Sequence, residues 1–333
     1  MGILFCEGSG LNDSIFGKSQ APIKMFLEKK NEAYEEKSMI KELFHMDKSS
    51  NFAETFTSLT ATNGFQPVGE NGAYPQDESV EGYKKLLTHV TWKDSFAISR
   101  EMVDDAKLID MKKAPANFIS GYHRTRELFA AALFGGAISR EKSVKFRGKT
   151  FDTTSADKKC LFDTEHPSIL DKGKQSNCFA DAFSNDALMA AETAMQNFKG
   201  DNGEVLNLAP DTIVIPNLHS LKKEVFAAIG ADKDPATANN GFNYNFGRWN
   251  VVIWPYLNQF IKAGTTPWFL ADSEYNEEAG GALWLDRVAL EITSEKADND
   301  ANVWKGYSRF TAGFNDWRAF IAGGIADGSA LPM

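Results

Sequence analysis

The sequence has few cysteines and no long hydrophobic run, and each absence narrows the class of protein. Its 333 residues include only three cysteines, Cys6, Cys160 and Cys178. Three scattered thiols are too few for a disulfide framework, and an odd number leaves at least one unpaired, so we expect reduced thiols. No apolar stretch approaches the ~20 residues that span a bilayer, and the first residues carry no basic flank. These absences predict synthesis in the cytoplasm and no membrane partner.

Basic residues are also in the minority. The chain has 36 Lys and Arg against 45 Asp and Glu, which gives a formal net charge of −9. Broad binding to nucleic acid through its phosphates needs clustered Lys and Arg. If DNA lies near this protein, we expect it to be held at a distance, without sequence-specific contacts. The hydrophobic content of 43% is ordinary for a globular protein and leaves room for two domains or more.

The short motifs of common enzyme sites are missing as well. The sequence contains neither a phosphate loop of the G-x-x-x-x-G-K-[ST] type nor a nucleophile elbow of the G-x-S-x-G type. Its five histidines fall in different predicted elements, and none has a Ser or Cys partner in a catalytic pattern. We therefore expect no enzyme and no cofactor, although a site assembled in three dimensions stays an alternative.

The best candidate for a metal site is the set Cys160, His166 and Cys178. The spacing of these three residues is not that of a zinc knuckle or ribbon, and a fourth ligand is missing. The alternative is a buried thiol pair with a histidine in a turn beside Pro167. Asp298 and Asp300 hint at calcium, but the glycine and the bidentate glutamate of a calcium loop are absent, which favours a solvated acidic turn.

What the sequence does contain is a long extended arm. Residues 52–62 and 85–99 are polar, β-prone limbs, and the Gly/Pro-rich residues 69–77 form a tip between them. An isolated two-stranded ribbon is marginal in water. The arm therefore needs a partner, and we expect a second copy of this chain. The alternative is an ordinary surface hairpin, although the tip is long for one.

Two helices flank this arm. Residues 21–46 predict a polar helix with a narrow apolar stripe of Phe26, Ala33, Ile40 and Phe44, which is either a docking arm or a solvated terminal helix. After a short helical segment at residues 101–107, Pro115 suits the first turn of the strongest helix. That helix is predicted to end at Gly135-Gly136.

The second half of the chain alternates strands and helices. After short strands in residues 138–184, the pattern predicts a helix capped by Asn185-Asp186, a buried strand over 212–215, and a helix that ends at Gly230. Further predicted strands cover 249–254, 268–271, 282–285 and 288–293, and an aromatic strand pair covers 307–324. The Asn- and Asp-rich loop 231–245 is predicted to be functional or mobile.

Aromatic residues are abundant, with seven Trp and twenty-five Phe. Most occupy apolar strand positions that a core explains. Trp92 lies on the polar return limb, and Tyr74 lies at the tip of the arm. Because Tyr and Trp favour interfaces, both residues predict contact between subunits.

The order of these parts resembles the Hong Kong 97-type fold of the major capsid proteins of tailed bacteriophages. Residues 96–106 (FAISREMVDDA) are similar to the stretch that leaves the extended loop of that family and enters its spine helix. Residues 211–221 (DTIVIPNLHSL) resemble the strand, break and helix at the entry to the axial domain. Residues 161–167 (LFDTEHP) and 309–319 (RFTAGFNDWRA) resemble the Mu-like branch of head subunits.

The resemblance implies an α+β fold with defined domains. It implies an N-terminal arm over residues 1–50, an extended loop over 51–99, a peripheral domain over 100–184 with the spine helix at about 101–137, an axial domain over 185–300 and returning strands over 301–333. The lead of about twenty residues is short for the scaffolding segment that some family members carry. No Lys and Asn pair for covalent crosslinking can be identified.

The implied function is structural. Such a chain self-assembles as pentamers and hexamers into an icosahedral head that encloses double-stranded DNA, first in the host cytoplasm and finally in the virion capsid. Scaffold, portal and possible decoration proteins are the implied partners. The expected contact residues between subunits are Phe26, Phe44, Tyr74, Pro75 and Trp92.

Three alternatives remain open. An encapsulin-type nanocompartment has the same fold and encloses cargo enzymes instead of DNA. A metal or thiol enzyme would use Cys160, His166 and Cys178. A tail or baseplate protein would form tubes or small rings.

Overall fold

The structure is a computed structural model that describes residues 4–5, 17–59, 67–70, 73–74, 81–104, 108–170, 173–230 and 242–331. Helices and strands mix along these ranges, so the fold is α+β, as the sequence predicts. The helices are α1 (Gly17–Glu35), α2 (Ile40–Leu43), α3 (Arg100–Asp104), α4 (Leu108–Ile138), α5 (Asn185–Gln196), α6 (His219–Ile229) and α7 (Ser273–Ala279). The strands are β1 (Leu4–Phe5), β2 (His45–Lys48), β3 (Ala53–Leu59), β4 (Glu81–Thr88), β5 (Val90–Ile98), β6 (Ser143–Phe146), β7 (Lys149–Asp152), β8 (His166–Pro167), β9 (Lys174–Gln175), β10 (Thr212–Pro216), β11 (Asn250–Trp254), β12 (Trp268–Ala271), β13 (Ala282–Lys296), β14 (Asn302–Phe314) and β15 (Phe320–Gly323).

Helix α4 is the central rod of the fold. Its 31 residues rise 1.5 Å each, which gives a length of about 46 Å. The helix already includes Pro115, which the sequence predicts as its first turn. From Phe129 to Ile138 every side is buried. This half of the rod therefore lies inside the main core, with both sheets packed around it.

The Gly135-Gly136 pair does not end α4, so the predicted stop is wrong. A Cβ on Gly135 would lie 2.2 Å from the Cβ of Phe260, and a Cβ on Gly136 would lie 2.9 Å from Thr153 Cγ2. Both distances are too short for a real side chain. The two glycines therefore serve the close approach of neighbouring segments, and the helix continues to Ile138.

One sheet has five strands. Strand β13 pairs antiparallel with β14, which pairs antiparallel with β5, while β1 and β2 pair parallel with β13. The sequence predicts two strands over 282–285 and 288–293, and the structure has the single strand β13. The register of β13 against β14 shifts between Asp286 and Val288 and between Val288 and Glu291. These irregularities interrupt the alternation of apolar residues but not the strand.

The second sheet has the order β11-β10-β12-β15, in which β10 and β11 are parallel and the other pairs antiparallel. Strand β10 is buried along its whole length, as its continuous apolar run predicts. Helix α5 begins at Asn185, and its cap is Ser184, not the predicted Asn185 or Asp186, because the Ser184 side chain accepts from the backbone N–H of Ala187. The sequence pattern of this half is therefore largely confirmed.

The predicted C-terminal strand pair over 307–324 is wrong, because β14 and β15 belong to different sheets. Between them lies a 3₁₀ turn at Trp317–Ala319, which Asp316 caps by accepting from the backbone N–H of Arg318. The buried Arg318 also forms an ion pair with Asp201 at 3.0 Å. These contacts turn the chain from one sheet into the other.

The return limb of the predicted arm is two strands with different partners. Strand β3 pairs with β4 in a separate two-stranded hairpin, and β5 joins the five-stranded sheet beside β14. His89 lies between β4 and β5. A limb predicted as continuous over 85–99 therefore divides at His89, because only its second half packs on the main core.

The predicted helix over 21–46 is also divided. Helix α1 ends at Glu35, and α2 and β2 follow. The interruption falls where the carboxylate of Glu127 on α4 accepts hydrogen bonds from Ser38 Oγ at 2.7 Å and from Met39 N at 3.0 Å. A contact from a distant helix therefore competes with helix continuation. Among the helices of the described ranges, none is both long and apolar enough to cross a bilayer.

Candidate assembly surfaces

The β3–β4 hairpin is anchored to the subunit at its root. Buried Lys85 donates from Nζ to Asp152 Oδ2 at 2.7 Å, to the carbonyl oxygen of Thr154 at 2.6 Å and to Thr154 Oγ1 at 3.2 Å. Burial raises the pKa of Asp152, but the hydrogen bond and charge of Lys85 outweigh it, so this pKa lies below its usual value. Leu87 packs beside Leu283 and Leu285 of β13. The hairpin therefore leaves the body from a fixed base.

The hairpin segment also exposes large apolar side chains, both at its root and further out. Phe52, Val68, Tyr74 and Leu86 are all more than half exposed, and Tyr74 is 96% exposed. Tyr74 is one of the predicted contact residues, and Pro75 beside it lies outside the described residues. Soluble monomers rarely expose apolar patches larger than a few hundred Å². The exposed segment therefore has the character of a contact surface.

Trp92 and Phe44, two further predicted contact residues, pack inside their own subunit. The Trp92 ring is half-buried and stacks on Phe310 with 5.0 Å between ring centroids, and its Nε1 donates to the carbonyl oxygen of Phe310 at 3.3 Å. Phe44 is 3% exposed and packs edge-on against Phe134 and Trp284. Both rings thus stabilise the monomer. Phe26 lies in α1, and its side chain is outside the described residues.

A second exposed surface is the segment Phe242–Trp249, called here the aromatic turn. Its aromatic side chains are exposed and its polar ones are buried, which reverses the usual arrangement. Phe242, Tyr244 and Phe246 are exposed, whereas Asn243 and Asn245 are buried. Asn243 Nδ2 donates to the carbonyl oxygen of Ala228 at 2.6 Å. Two buried amides therefore hold three aromatic rings in solvent.

Further contacts make the aromatic turn rigid. Asn245 Nδ2 donates to Asn185 Oδ1 at 2.7 Å, and Asn245 Oδ1 accepts from Trp249 Nε1 at 3.2 Å. The guanidinium of Arg248 lies 4.1 Å from the centroid of the Tyr244 ring and donates to Glu192 Oε1 at 2.6 Å. The rings are thus displayed by a fixed frame, which lowers the entropic cost of binding a partner.

Glu127 joins three parts of the chain. Its Oε1 accepts from Ser38 and Met39 at the end of the N-terminal segment, and its Oε2 accepts from Trp254 Nε1 of β11 at 3.2 Å. Burial raises the pKa of Glu127, and these hydrogen bonds oppose the rise. The carboxylate therefore links the N-terminal segment, α4 and the second sheet.

A second polar link lies on the neighbouring residue of α4. Arg126 donates to both carboxylate oxygens of Asp286 at 2.8 and 3.0 Å, and Trp284 Nε1 donates to Asp286 Oδ1 at 3.1 Å. Burial lowers the pKa of Arg126, but the charges of Tyr122 and Asp286 and the hydrogen bonds to both outweigh it, so this pKa lies above its usual value. This bidentate pair fixes α4 on β13.

The candidate metal set forms a different arrangement. His166 is fully buried, with Nδ1 2.6 Å from Asp157 Oδ2 and Nε2 3.1 Å from Asn177 Oδ1. The Asn177 amide is oriented because its Nδ2 donates to the carbonyl oxygens of Leu161, Trp317 and Phe320. Both ring nitrogens therefore face oxygen atoms of the protein. Across the described ranges, no group of three or more His, Cys, Asp or Glu side chains could hold a metal ion.

The two thiols of this set are unsuited to nucleophilic chemistry. Burial raises the pKa of Cys178 to about 12, and it also raises the pKa of Cys160. The thiolate is the nucleophile, so a thiol that stays protonated is a poor nucleophile at neutral pH. The geometry thus favours the structural interpretation of Cys160, His166 and Cys178 over the catalytic one.

Several residues important to these surfaces were missed in the sequence. Glu127, Arg126 and Asp286 were unremarkable charged residues, and Lys85 was one of two adjacent lysines in a limb. The aromatic turn did carry a signal, since Phe242, Tyr244 and Phe246 alternate with asparagine. That alternation is typical of a strand with one apolar face, and only tertiary contacts show that the asparagines are inside.

The comparison with family models agrees with a structural role. A family model described as a phage capsid protein matches residues 82–323, which is more than half of the chain. No curated protein matches the sequence. The solved structures that are similar include the capsid of Ralstonia phage GP4, with 11% identity, a TM-score of 0.49, and 84% of each chain covered.

Two other similar structures have comparable scores. One, from Mycobacterium phage Bobi, shows 13% identity and a TM-score of 0.46, over 88% of this chain and 91% of that chain. A virus-like particle from Pyrococcus furiosus shows 10% identity and a TM-score of 0.45, over 91% of this chain and 97% of that one. The family assignment rests on the family model, and by that match the chain belongs to the phage capsid protein family, whose members are structural proteins of the capsid.

Proposed function

We propose that this chain is the major capsid protein of a tailed phage, with a Hong Kong 97-type fold. Its copies self-assemble as pentamers and hexamers into an icosahedral head that encloses double-stranded DNA. The order of its parts supports this proposal, because an N-terminal helix, the β3–β4 hairpin and the long helix α4 precede the alternating strands and helices of the second half, as the resemblance implies. Assembly takes place in the host cytoplasm, and the mature location is the virion capsid.

The β3–β4 hairpin carries the proposal. Its root is fixed through Lys85, while Tyr74 and Val68 are exposed further out. A hairpin of two strands is marginally stable in water by itself. It gains stability when its apolar side chains and free strand edges are covered by a second copy. We propose Tyr74 and Pro75 as contact residues on this arm, and Phe26 on α1 as a further one.

The aromatic turn supports contacts at a second place. In the proposed assembly the segment after α6 lies near the rotation axis of a capsomer, and Phe242, Tyr244 and Phe246 meet the neighbouring copies there. Aromatic residues are enriched at the buried centres of protein interfaces. Trp92 and Phe44 take part indirectly, because they pack the core from which both surfaces are displayed.

The acidic character of the chain fits a shell that does not bind its contents tightly. With a net charge of −9, the protein repels the phosphate backbone at long range. The packaged DNA is thus enclosed without sequence-specific contacts. Scaffold and portal proteins, and possible decoration proteins, are the other partners that we propose for assembly.

The first test is to express the chain alone and to analyse it by size-exclusion chromatography and negative-stain electron microscopy. We expect closed icosahedral particles, or rings of five and six copies. A chain that stays monomeric, and that a co-expressed scaffold from the same genome does not rescue, would overturn the proposal. Tubes would indicate a tail protein, and closed particles that hold protein cargo in their native host would indicate a nanocompartment.

A second test addresses the hairpin. Deletion of residues 69–80 leaves β3 and β4 in place and should spare the fold of the monomer while it prevents assembly. A milder pair of variants is Tyr74→Ser, which removes the exposed ring, and Tyr74→Phe, which keeps it. We expect Tyr74→Ser to reduce the particle yield and Tyr74→Phe to retain it. Normal assembly of the deletion variant would refute the role of the arm.

A further inference from the structure

A cleft lies between α4 and the five-stranded sheet, and it is called here the aromatic cleft. Its lining comes from α4, β5, β13, β14 and the turn between β6 and β7. Phe118, Leu290 and Phe310 are its buried apolar lining residues, and Trp92 and Tyr122 are half-buried beside them. The rings of Trp92 and Tyr122 have their centroids 5.0 and 6.4 Å from that of Phe310. Most of the lining is therefore aromatic.

The aromatic cleft has the size of one aromatic ring. Its volume is about 150 Å³, and an apolar cavity of about 150 Å³ in a protein binds benzene. Gly121 of α4 lines the cleft, and a Cβ at this position would meet nothing within 4 Å. The space beside Gly121 is therefore free in this copy.

The polar groups in the lining already have partners. Tyr122 Oη accepts from Arg126 at 3.0 Å, Ser308 Oγ donates to the carbonyl oxygen of Val288 at 3.0 Å, and Thr125 Oγ1 donates to that of Gly121 at 2.7 Å. What the cleft offers to a partner is chiefly ring faces. An aromatic side chain therefore suits it better than a polar ligand does.

The rim of the aromatic cleft is cationic. Lys93 and Arg147 are exposed lining residues, and in the part of the chain that the structure describes neither one forms an ion pair. The carboxylate of Asp94 lies at the same rim. Lys145 and Lys149 are exposed on the same β6–β7 hairpin as Arg147 and add positive charge. A matching side chain should therefore be flanked by acidic residues.

The tip of the β3–β4 hairpin has this chemistry. Residues 49–83 include five carboxylates and no Lys or Arg. Tyr74 is 96% exposed, and Glu70, Asp77 and Glu78 flank it in the sequence. The tip therefore offers an aromatic ring among acidic residues.

The aromatic turn fits the cleft less well. Its Tyr244 ring lies 4.1 Å from the guanidinium of Arg248, and this cation would meet the cations of the rim. Charge complementarity therefore selects Tyr74 over Tyr244.

We propose that the aromatic cleft of one copy receives the Tyr74 ring of a neighbouring copy. The carboxylates of the hairpin tip then pair with Lys93 and Arg147. Trp92 contributes its exposed part to this contact, in addition to its packing role within its own copy. Because ring and cleft lie on different parts of the chain, each copy gives a ring to one neighbour and accepts one from another. Such a head-to-tail contact closes into a ring of copies when the rotation between them allows it.

The docking rests on the proposed function and names the acceptor of its hairpin. Gly121→Leu tests it by filling the cleft from within, since leucine is a good helix former. Gly121→Ala is the matched control, because it adds only one methyl group. A second pair tests the rim: Lys93→Glu with Arg147→Glu reverses its charge, and Lys93→Arg with Arg147→Lys keeps it. Circular dichroism and thermal unfolding of the unassembled subunits show whether each variant folds as the wild type does.

We expect Gly121→Leu and the charge reversal to lower the yield of rings or shells by about tenfold or more, because the effect repeats at every interface. Both controls should retain the yield. A folded Gly121→Leu chain that assembles as the wild type does would overturn the docking and leave the proposed function intact. A wild-type chain that forms no rings or shells, even with a co-expressed scaffold, overturns the proposed function and the docking with it.

A photocrosslink identifies the occupant of the cleft. Tyr74 is replaced by p-azidophenylalanine, which keeps an aromatic ring, and the assembled particles are illuminated. We expect crosslinked dimers on a denaturing gel and, by peptide mass spectrometry, attachment to residues 117–125 or 90–96 of the other copy. Attachment within the same chain, or to a different segment of the neighbour, would overturn the docking. Loss of assembly in Gly121→Leu without this crosslink would also overturn it and would indicate another occupant.

Discussion

The buried carboxylate of Glu127 makes a sharp prediction about stability. Its two oxygens accept hydrogen bonds from Ser38 Oγ, Met39 N and Trp254 Nε1 at 2.7, 3.0 and 3.2 Å. Two of these donors, the backbone N–H and the indole N–H, cannot accept a hydrogen bond. Glu127→Gln replaces one carboxylate oxygen by an NH₂ group. Whichever way the amide turns, this NH₂ group faces either the Met39 N–H or the Trp254 Nε1–H.

The expected loss in the free energy of unfolding follows from these two facing donors. A buried donor left without an acceptor costs about 1–3 kcal/mol. Unfolding entropy is about 2.1 cal/mol/K per residue, so in a chain of this length 1 kcal/mol corresponds to about 1.4 °C in Tm. We therefore expect Glu127→Gln to lower the free energy of unfolding by about 1–3 kcal/mol. The exposed Glu224→Gln on α6 is the matched control and should leave that free energy unchanged.

The stability difference between the wild type and Glu127→Gln should also depend on pH. Because burial raises the pKa of Glu127, the folded state favours the protonated side chain more than the unfolded state does. The stability that this proton contributes is present below the unfolded pKa and is lost as the pH rises through the folded pKa. A protonated carboxyl can still donate to Ser38 Oγ, whereas the amide cannot titrate. The deficit of Glu127→Gln should therefore be larger at pH 5 than at pH 8.

Chemical denaturation at the two pH values measures this deficit directly. Limited trypsin digestion is an independent assay, since two of the three donors lie beside Lys37 and Lys41. We expect faster cleavage at these lysines in Glu127→Gln than in Glu224→Gln. A Glu127→Gln chain as stable as the wild type at both pH values would refute this account of the site.

Three further predictions concern other parts of the fold. Gly135→Ala should destabilise the protein strongly, because its Cβ would lie 2.2 Å from the Cβ of Phe260. In the control Gly121→Ala on the same helix, the new Cβ meets nothing within 4 Å and should stabilise the protein by up to about 1 kcal/mol. Equal thermal unfolding of the two variants would contradict the packing at Gly135. Lys85→Met removes the partner of Asp152 and Thr154 and should lower the free energy of unfolding by about 1–3 kcal/mol. Because the pKa of Asp152 is lowered, the part of this loss that is due to the ion pair should be present above the unfolded pKa of Asp152. That part should vanish as the pH falls through the folded pKa of Asp152. The Cys178 thiol, with a pKa of about 12, should resist alkylation at pH 8 in the native protein and react after unfolding in urea, as peptide mass spectrometry can show; rapid native alkylation would refute its burial.

Much of the second half of the chain was predictable from sequence. The run Thr212–Ile215 has no polar interruption other than its first residue, and the structure buries it as the central strand β10. The spacing of Leu188, Ala191 and Met195 indicated the buried face of α5. In these elements one periodic pattern faces one core, so local sequence and burial agree.

Prediction failed where a distant segment decides the local conformation. The polar residues around Trp92 indicated an arm, yet β5 pairs with β14 and its tryptophan stacks on Phe310. Gly135-Gly136 indicated a helix end, although the glycines serve contacts with Phe260 and Thr153. Neither contact leaves a signal in the neighbouring sequence.

The sequence by itself determined the class of this protein. The order of arm, long helix and later strands follows from periodic patterns within single elements, and the resemblance of that order to the Hong Kong 97-type fold indicated a capsid subunit. The tertiary structure alone decided which surfaces stay open for other copies. Whether Phe242 is exposed while Asn243 is buried depends on what each residue meets across the fold. Such contacts join residues far apart in the chain, so no local pattern encodes them.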